Sequence, residues 1–376
     1  MIQSVDRKGS DSVKWAKYAE QDIIPMWIAD TDYRAPEAVL NALHQRIDHG
    51  VLGYGMATDA FIDAVVDHCQ ALYNWTIDRS WVVPIPGVVP GLNMSRAVSL
   101  ARGKSAALTI SPTYPHLRKN PSLMNFRQQF VDAVDADDHW AIDFSALDRA
   151  VDKDSGLLLL CHPHNPLGKT YSVDELVAFA DFAKRHDLLV CSDEIHCDLV
   201  IDGSKHTPFA TLNADTLART ITLMAPSKTY NIAGLACAFA IIADPALRTS
   251  FRTSCAGLAG DVNILGMTAA TAALNEGEAW HQAMIAHFRD NAERVYEAIN
   301  AMKHLRMKPM TATYLAWIDA RELPVEHPQR FFEQAGVGLA DGADYGSPGF
   351  LRLNFGCSRE LLDVALQRMA KAIASV

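Results

Sequence analysis

The stretch Met224-Ala225-Pro226-Ser227-Lys228-Thr229-Tyr230-Asn231 decides the fold class of this chain. It begins at the end of an apolar run, residues 220–224, which predicts a buried β-strand. Lys228 therefore follows closely on the end of a buried strand. Most lysines in such places simply reach solvent. Whether Lys228 has a chemical role depends on what the rest of the chain places beside it.

A second apolar run, residues 188–191, ends in Ser192-Asp193-Glu194-Ile195-His196, so Asp193 also lies where a strand ends. In open α/β sheets the carboxyl ends of the strands line the ligand crevice. A lysine and a carboxylate there are what a pyridoxal phosphate enzyme needs. The lysine amine binds the cofactor's aldehyde, and the carboxylate keeps the ring nitrogen protonated. The alternative is that Asp193 only caps a following turn.

Length, charge and cysteine usage limit the class of protein. The chain has 376 residues and is 49% hydrophobic, which predicts a large core and more than one domain. A net charge of −10 argues against nucleic acid or an acidic membrane as a partner. We expect a cytoplasmic protein, because the 7 cysteines are scattered and neither a secretory signal nor a membrane-spanning run is visible. No metal site is predicted.

The middle of the chain alternates strand and helix patterns. Strands are predicted at 106–110, 156–161, 188–191, 220–224 and 237–243. Between the second and third strands, residues 173–185 have apolar positions at helical spacing. Ser172 and Glu175 form a capping-box pattern at its start. Strand, helix and strand at this spacing imply a right-handed crossover and a largely parallel sheet.

The last third of the chain has a different pattern. Residues 264–302 are helix-rich with a break at 275–277. They are followed by a predicted strand at 314–318, a glycine-rich turn at 336–349, a strand at 350–354 and a helix from Arg359. We predict a large cofactor-binding domain, residues 45–275, and a smaller α+β domain formed by residues 1–44 and 276–376.

Asn165 lies in the loop 162–169, directly after the predicted strand 156–161. The two prolines and the glycine of this loop predict a well-defined conformation. The Asn165 amide could then donate to the cofactor's phenolate oxygen. The competing interpretation is a zinc site at His162 and His164, but two histidines without a further ligand cluster are a poor zinc signature.

Three other positions suit a small anionic ligand. Gly87 precedes a helical pattern, so backbone N–H groups there could bind a phosphate. Tyr114 follows the strand 106–110 and could stack on a planar cofactor, although packing on the core is an equal alternative. Arg352 lies among apolar neighbours and needs a partner. Either a substrate carboxylate or an internal salt bridge would provide one.

Eight motifs occur in order along nearly the whole chain. They are PMWIAD (25–30), DHGVLGY (48–54), PGVV (86–89), HNP (164–166), SDEIH (192–196), APSKTYNIAGL (225–235), YLAW (314–317) and RLN (352–354). With them the chain resembles the fold-type I pyridoxal phosphate enzymes. Within these it is most similar to the MalY/PatB group of cystathionine β-lyases in the class I/II aminotransferase family.

The resemblance implies a mostly parallel seven-stranded sheet in an α/β fold, with pyridoxal 5′-phosphate held on Lys228. It implies three catalytic residues: Lys228, Asp193 and Tyr54. The implied cofactor contacts are Tyr54, Gly87, Val88, Val89, Tyr114, Asn165, Asp193, His196, Ser227 and Lys228. The implied substrate contacts are Arg352, which would bind the α-carboxylate, with Asn165, Ala29 and Asp30. Tyr54 would reach the phosphate of a neighbouring subunit, so the active unit would be a homodimer with shared sites.

The resulting hypothesis is a carbon–sulfur β-lyase acting on L-cystathionine or related cysteine S-conjugates. The freed Lys228 amine would take the Cα proton, a thiolate would leave from Cβ, and hydrolysis would give pyruvate and ammonia. An aminotransferase would use the same lysine, aspartate and arginine and is the first alternative. The second alternative is a non-catalytic regulatory binding protein on the same fold.

Overall fold

The computed structural model of the protein describes residues 2–119 and 125–376. The strands are β1 (Ile24–Met26), β2 (Val82–Ile85), β3 (Ala106–Ser111), β4 (Arg127–Asp132), β5 (Val134–Asp135), β6 (Trp140–Ala141), β7 (Ser155–Cys161), β8 (Leu189–Asp193), β9 (Thr220–Met224), β10 (Ala238–Ile241), β11 (Arg306–Met307), β12 (Leu315–Asp319), β13 (Val337–Asp341) and β14 (Phe350–Asn354). The α-helices are α1 (Val13–Ala16), α2 (Glu37–Asp48), α3 (Asp59–Tyr73), α4 (Val88–Ala101), α5 (Pro115–Lys119), α6 (Phe144–Ala150), α7 (Val173–Arg185), α8 (Ala214–Arg219), α9 (Pro245–Leu258), α10 (Ile264–Glu276), α11 (Glu278–Ala301), α12 (Pro328–Gln334) and α13 (Arg359–Ile373).

The larger sheet has seven strands in the order β2-β10-β9-β8-β7-β3-β4. Neighbouring strands from β9 to β4 are parallel, whereas β10 is antiparallel to both β9 and β2. The predicted mostly parallel, seven-stranded α/β sheet is confirmed. All five strands predicted in this region are present, with ends that differ by at most two residues.

The interior strand β7 shows why these strands are continuously apolar. Leu157 and Leu159 pack in a cluster that includes Leu92 of α4. Leu158 and Leu160 point to the opposite face and pack with side chains of α7. Because helices cover both faces, successive residues are all buried, and each leucine contributes about 1.5–3 kcal/mol.

The helix α7 has the predicted bounds and the predicted capping box. The Ser172 hydroxyl accepts the Glu175 N–H at 3.2 Å, and the Glu175 carboxylate accepts the Ser172 N–H at 2.9 Å. The predicted break in the later helical region is also present, since α10 ends at Glu276 and α11 begins at Glu278. A side chain at Gly277 would overlap the Ala273 carbonyl and the Tyr230 ring, which explains the glycine.

The second sheet has five strands in the order β1-β13-β14-β12-β11. The prediction of a glycine-rich turn over 336–349 is wrong for its first half. Strand β13 lies there, followed by a 3₁₀ turn at Gly342–Tyr345. Gly338 belongs to this strand, and the ring of Tyr18 occupies the space where a side chain would be. The glycine therefore marks a close contact rather than a turn.

The large-sheet strands β2 and β4 were not predicted, and both lie at edges of the sheet. Pro84 interrupts the apolar pattern of β2, which is typical of an edge strand. Strand β4 is mostly exposed and polar.

The division of the chain into a domain of residues 45–275 and a domain of residues 1–44 plus 276–376 stays a prediction. Across residues 2–119 and 125–376, every helix is too short or too polar to cross a membrane.

Candidate active site

A cavity of about 860 Å³ lies beside the carboxyl ends of β7, β8 and β9. Both sheets and the N-terminal segment contribute to its wall. It contains eleven of the predicted site residues: Ala29, Gly87, Val88, Val89, Tyr114, Asn165, Asp193, His196, Ser227, Lys228 and Arg352. Residues more than 300 positions apart in sequence, such as Ala29 and Arg352, thus meet outside the carboxyl ends of the strands, where ligands of α/β sheets bind.

Lys228 is held by the N-terminal segment. Its Nζ donates a hydrogen bond to the Ala29 carbonyl oxygen at 2.7 Å. Burial lowers the pKa of Lys228 to about 8, with Arg352 acting in the same direction and the carboxylates of Asp30 and Asp193 opposing it. Roughly a tenth of such amines is neutral at pH 7, so Lys228 can act as a nucleophile or a base.

Asp193 is the last residue of β8 and is buried. Its carboxylate accepts one backbone hydrogen bond, from the Ile195 N–H at 3.3 Å. Burial raises the pKa of Asp193 to about 7. A cationic N–H donor would stabilise the ionised form of this carboxylate. The protonated nitrogen of a pyridine ring is a donor of this kind.

Arg352 is buried on β14 with its guanidinium at the cavity. Its Nη1 donates to the Asn165 side-chain oxygen at 3.0 Å, and its Nη2 donates to the Trp27 carbonyl at 2.8 Å. The Tyr345 ring lies 4.8 Å from the guanidinium carbon. The Nε has no hydrogen-bond partner, and Arg352 forms no ion pair with any carboxylate of residues 2–119 and 125–376. This geometry favours the substrate carboxylate over the internal salt bridge.

Two planar side chains of the cavity wall are uncharged. Burial raises the pKa of Tyr114 to about 12, so the phenol stays protonated. Burial, with Lys228 and Arg352 nearby, lowers the pKa of His196 to about 3. The buried Nδ1 of His196 lacks a hydrogen-bond partner. His196 is therefore a neutral group with hydrogen-bonding capacity left for a ligand.

The N-terminus of α4 is suited to bind an anion. Gly87 is the N-cap residue with a φ of 137°, a conformation that favours glycine. The N–H groups of Val88 and Val89 belong to the first turn, where no intrahelical acceptor exists, and no acidic residue lies in that turn. With Lys228 and Asp193, this donor set fits a pyridine aldehyde that carries a phosphate.

Asp30 and Tyr54 are placed differently. Asp30 does not line the cavity; Arg7 holds its carboxylate through an ion pair of 2.9 Å. Its charge nevertheless acts on Lys228, and its buried Oδ1 lacks a hydrogen-bond partner. Tyr54 is fully exposed, at 110% of its reference area, and lies outside the cavity of its own chain. Its predicted role therefore depends on a second chain.

Ring nitrogens of His162 and His164 form hydrogen bonds with other residues of the protein. His162 Nε2 lies 3.1 Å from the Thr207 carbonyl oxygen, and the two nitrogens of His164 contact the Tyr171 hydroxyl at 2.7 Å and the Pro112 carbonyl at 2.8 Å. In the part of the chain that the structure describes, no group of three or more histidine, cysteine and carboxylate side chains could hold a metal ion.

Several residues of the cavity wall were not predicted. Those with polar or aromatic side chains are Lys17, Trp27, His116, Gln329, Glu333, Asp341, Asp344 and Tyr345. Of these eight, only Trp27 carried a signal, because it belongs to one of the eight motifs. Charged side chains on helices and turns are usually solvated, so nothing in the sequence separated Lys17 or Glu333 from ordinary surface residues.

Comparison with known proteins gives the family. Residues 22–369 match the family model "Aminotransferase class I and II", and the chain belongs to this family. Cystathionine β-lyase PatB of Bacillus subtilis (strain 168) is 35% identical over 385 residues, which cover 98% of each protein. The crystal structure of OvoB is 42% identical, with a TM-score of 0.96 and coverage of 100% of this chain and 99% of that one. The PLP-bound C–S lyase from Staphylococcus hominis is 28% identical, with a TM-score of 0.89 and coverage of 99% and 97%. The predicted family and fold type are confirmed.

Proposed function

We propose that this protein is a pyridoxal 5′-phosphate-dependent carbon–sulfur β-lyase. Its reaction is the elimination of a thiol from L-cystathionine or a related cysteine S-conjugate, with pyruvate and ammonia as the other products. The observation that carries the proposal is the convergence of Lys228, Asp193 and Arg352 on one cavity. The likeness to the PatB cystathionine β-lyase and to the PLP-bound C–S lyase supports both the cofactor and the reaction.

The cavity residues divide between holding the cofactor and holding the substrate. When bound, pyridoxal phosphate supplies an electron sink for the charge that develops at the substrate's Cα. Lys228 would hold the aldehyde carbon, and Asp193 would pair with the ring nitrogen. The first turn of α4 and Ser227 would bind the phosphate. Tyr114 would lie against the ring, and Asn165 and His196 would contact its phenolate side.

Lys228 also moves the proton. Its amine, with a pKa lowered to about 8, accepts the Cα proton of the substrate, and the Ala29 carbonyl at 2.7 Å orients it. The sulfur leaves Cβ with the electron pair of the broken bond. One water is consumed overall, and its oxygen appears in pyruvate.

Arg352 would bind the substrate's α-carboxylate. Its unpartnered Nε and the adjacent Nη can form the two parallel hydrogen bonds that a carboxylate accepts from a guanidinium. Asn165 already holds the other Nη at 3.0 Å and fixes the plane of the group. Ala29 would complete the substrate side of the site, and Asp30, which lies outside the cavity, would act through its charge on Lys228.

A homodimer with shared sites is part of the proposal. The exposed segment before α3 carries four large apolar side chains: Val51, Leu52, Tyr54 and Met56. Contiguous exposed apolar groups of this kind mark interaction surfaces. Tyr54 would then reach the phosphate bound by the partner. Measuring the molecular mass in solution tests the dimer, and a monomer at micromolar concentration would contradict it.

The cytoplasmic location of the protein stays a prediction.

The deciding experiment supplies the purified holoenzyme with L-cystathionine and measures free thiol, pyruvate and ammonia. Equal amounts of all three are expected. Transfer of the amino group to a keto acid without release of thiol would overturn the lyase and indicate an aminotransferase.

A substitution tests the regulatory alternative. Lys228→Ala should abolish turnover, and a biological effect that survives this substitution would indicate a regulatory binding role.

A further inference from the structure

Four charged side chains of the cavity wall have no part in the chemistry above, those of Lys17, Glu333, Asp341 and Asp344, and Lys17 and Glu333 form an ion pair with each other. Lys17 directly follows α1, and Glu333 lies on α12. The Lys17 Nζ is 3.6 Å from the Glu333 Oε1, which is close enough for an ion pair but too long for a hydrogen bond. Their side chains are 41% and 29% exposed, and both face the cavity.

The two carboxylate oxygens of Glu333 differ in the hydrogen bonds that they accept. The Tyr18 hydroxyl and the Gln329 amide, the latter at 3.2 Å, both donate to Oε1. Within residues 2–119 and 125–376, Oε2 accepts no hydrogen bond. Although burial acts to raise it, these donors and Lys17 hold the pKa of Glu333 below its usual value. The free oxygen therefore carries negative charge at neutral pH.

Lys17 is positioned by aromatic rings rather than by hydrogen bonds. Its Nζ lies 4.7 Å from the centre of the Tyr18 ring and 5.1 Å from that of the Trp27 ring. Among the described residues, the carboxylate that this ammonium contacts is Glu333, at 3.6 Å, so donors remain available for a ligand. Trp27 contacts both charged sites, because its ring lies beside the Lys17 ammonium and its carbonyl accepts from Arg352.

An amino-acid substrate already has partners for its own charges at the inner end of the cavity. Arg352 would bind its α-carboxylate, and the cofactor would bind its α-amino group. The paired cation and anion of Lys17 and Glu333 in the same cavity match charges on the remaining part of the substrate, which is the group attached to sulfur. Adjacent positive and negative groups suit the carboxylate and the ammonium of a second α-amino acid.

We propose that Lys17 and Glu333 select cysteine S-conjugates whose leaving thiol is itself an α-amino acid, with Lys17 binding its carboxylate and Glu333 its ammonium. This assignment rests on the proposed lyase function. It makes the outer wall a specificity site and predicts poorer turnover of conjugates that carry an uncharged group on sulfur. Tyr18 and Gln329 act as positioning residues for Glu333.

Four substrates with the same stem test the assignment. L-Cystathionine carries both charges, S-(3-carboxypropyl)-L-cysteine and S-(3-aminopropyl)-L-cysteine carry one each, and S-butyl-L-cysteine carries none. Lys17→Met should lower kcat/KM for the two carboxylate-bearing substrates by about 10-fold to 30-fold relative to S-butyl-L-cysteine. Glu333→Gln should do the same for the two ammonium-bearing substrates. Glu326→Gln, at an exposed position outside the cavity, is the matched control and should leave all ratios unchanged.

A binding measurement gives the same ratios without turnover. In the Lys228→Ala background with cofactor bound, calorimetric dissociation constants for the four compounds should change in the same pattern. Equal effects on all four compounds, or no effect, would overturn the assignment of Lys17 and Glu333 while the lyase stands. If the unaltered holoenzyme releases thiol from none of the four, the proposed function itself fails.

Discussion

The two ends of the cavity are built in different ways. At the inner end, Asp193 and Arg352 are buried and Lys228 is half-buried, and all three lie on strands or just past them. At the outer end, Lys17 and Glu333 lie on helix termini and helix surfaces and are partly exposed. The sheet hydrogen bonds fix the inner groups before any ligand binds, which suits chemistry common to every substrate. The outer groups can adjust, which suits recognition of the part that varies.

The largest expected effect comes from replacing the inner arginine. Arg352→Lys should lower kcat/KM for L-cystathionine by roughly 300-fold, because a lysine cannot form the paired hydrogen bonds of a guanidinium. The loss should be similar for S-butyl-L-cysteine, since both substrates have the same α-carboxylate. Arg306→Lys is the matched control, because Arg306 is exposed and pairs with Glu322 at the surface. A selective loss for one substrate would contradict the division between the two ends.

The inner end also depends on a buried ion pair behind Lys228. Asp198 contacts His68 at 3.0 Å and accepts from the hydroxyl of Thr229, the neighbour of Lys228, at 3.2 Å. Although burial opposes ionisation in both groups, the pairing holds the pKa of Asp198 well below its usual value and raises the pKa of His68. Asp198→Asn should lower the free energy of unfolding by about 3 kcal/mol, measured with urea.

The directions of the two pKa shifts determine how the stability provided by this pair depends on pH. The contribution of Asp198 to the free energy of unfolding is present above the pKa of about 4 that the group has in the unfolded chain, and it is lost as the pH falls. The contribution of His68 is present below its unfolded pKa of about 6.5 and is lost as the pH rises through its raised value. Asp138→Asn is the control, because Asp138 forms the same kind of pair with His139 at the surface. An equal effect of both substitutions would contradict the account.

A smaller effect concerns the lowered pKa of Lys228. The neutral amine is the nucleophile, so the rate at which cofactor-free protein forms its covalent link with pyridoxal phosphate should follow the neutral fraction. With a pKa of about 8, this rate should rise roughly 10-fold between pH 7 and pH 9 and then level off. The absorbance change after mixing measures it. A small lysine derivative with an ordinary pKa is the control, and a rise that continues to pH 10 for the protein as well would contradict the prediction.

The smallest expected effect belongs to Tyr54. Tyr54→Phe should weaken cofactor binding by about 3-fold to 10-fold, because one hydrogen bond to the partner's phosphate is lost. The measurement is the cofactor concentration that gives half-occupancy, at a protein concentration where the dimer is complete. Tyr296→Phe, at another exposed tyrosine, should have no effect. Unchanged affinity in Tyr54→Phe would remove this residue from the site.

The inner end was predictable because its residues follow apolar strands. The run that became β8 is apolar, and the run that became β9 is interrupted only by threonines, which are β-branched and suit a strand. The ends of both runs and the residues after them, Asp193 and Lys228, could therefore be placed from the pattern. The whole sheet needed the family resemblance, because Pro84 hides β2 and exposed polar residues hide β4.

The outer end was not predictable from the sequence for a physical reason. Its wall combines α1, α12 and β13, and their contacts depend on the way the five-stranded sheet packs. Gly338 shows the difficulty: its role follows from the Tyr18 ring, which is 320 positions away in sequence and for which no local pattern exists. The proximity of Lys17 to Glu333 follows from the same packing and becomes visible only in three dimensions.

The central claim is that position 228 carries the cofactor. Reduction of the holoenzyme with borohydride, followed by proteolysis and mass spectrometry, tests it directly. We predict that the peptide containing Lys228 carries the mass of the reduced pyridoxyl phosphate in stoichiometric amount and that other lysine peptides stay unmodified. Stoichiometric modification of another lysine, or fully loaded protein in which Lys228 stays unmodified, would contradict the account.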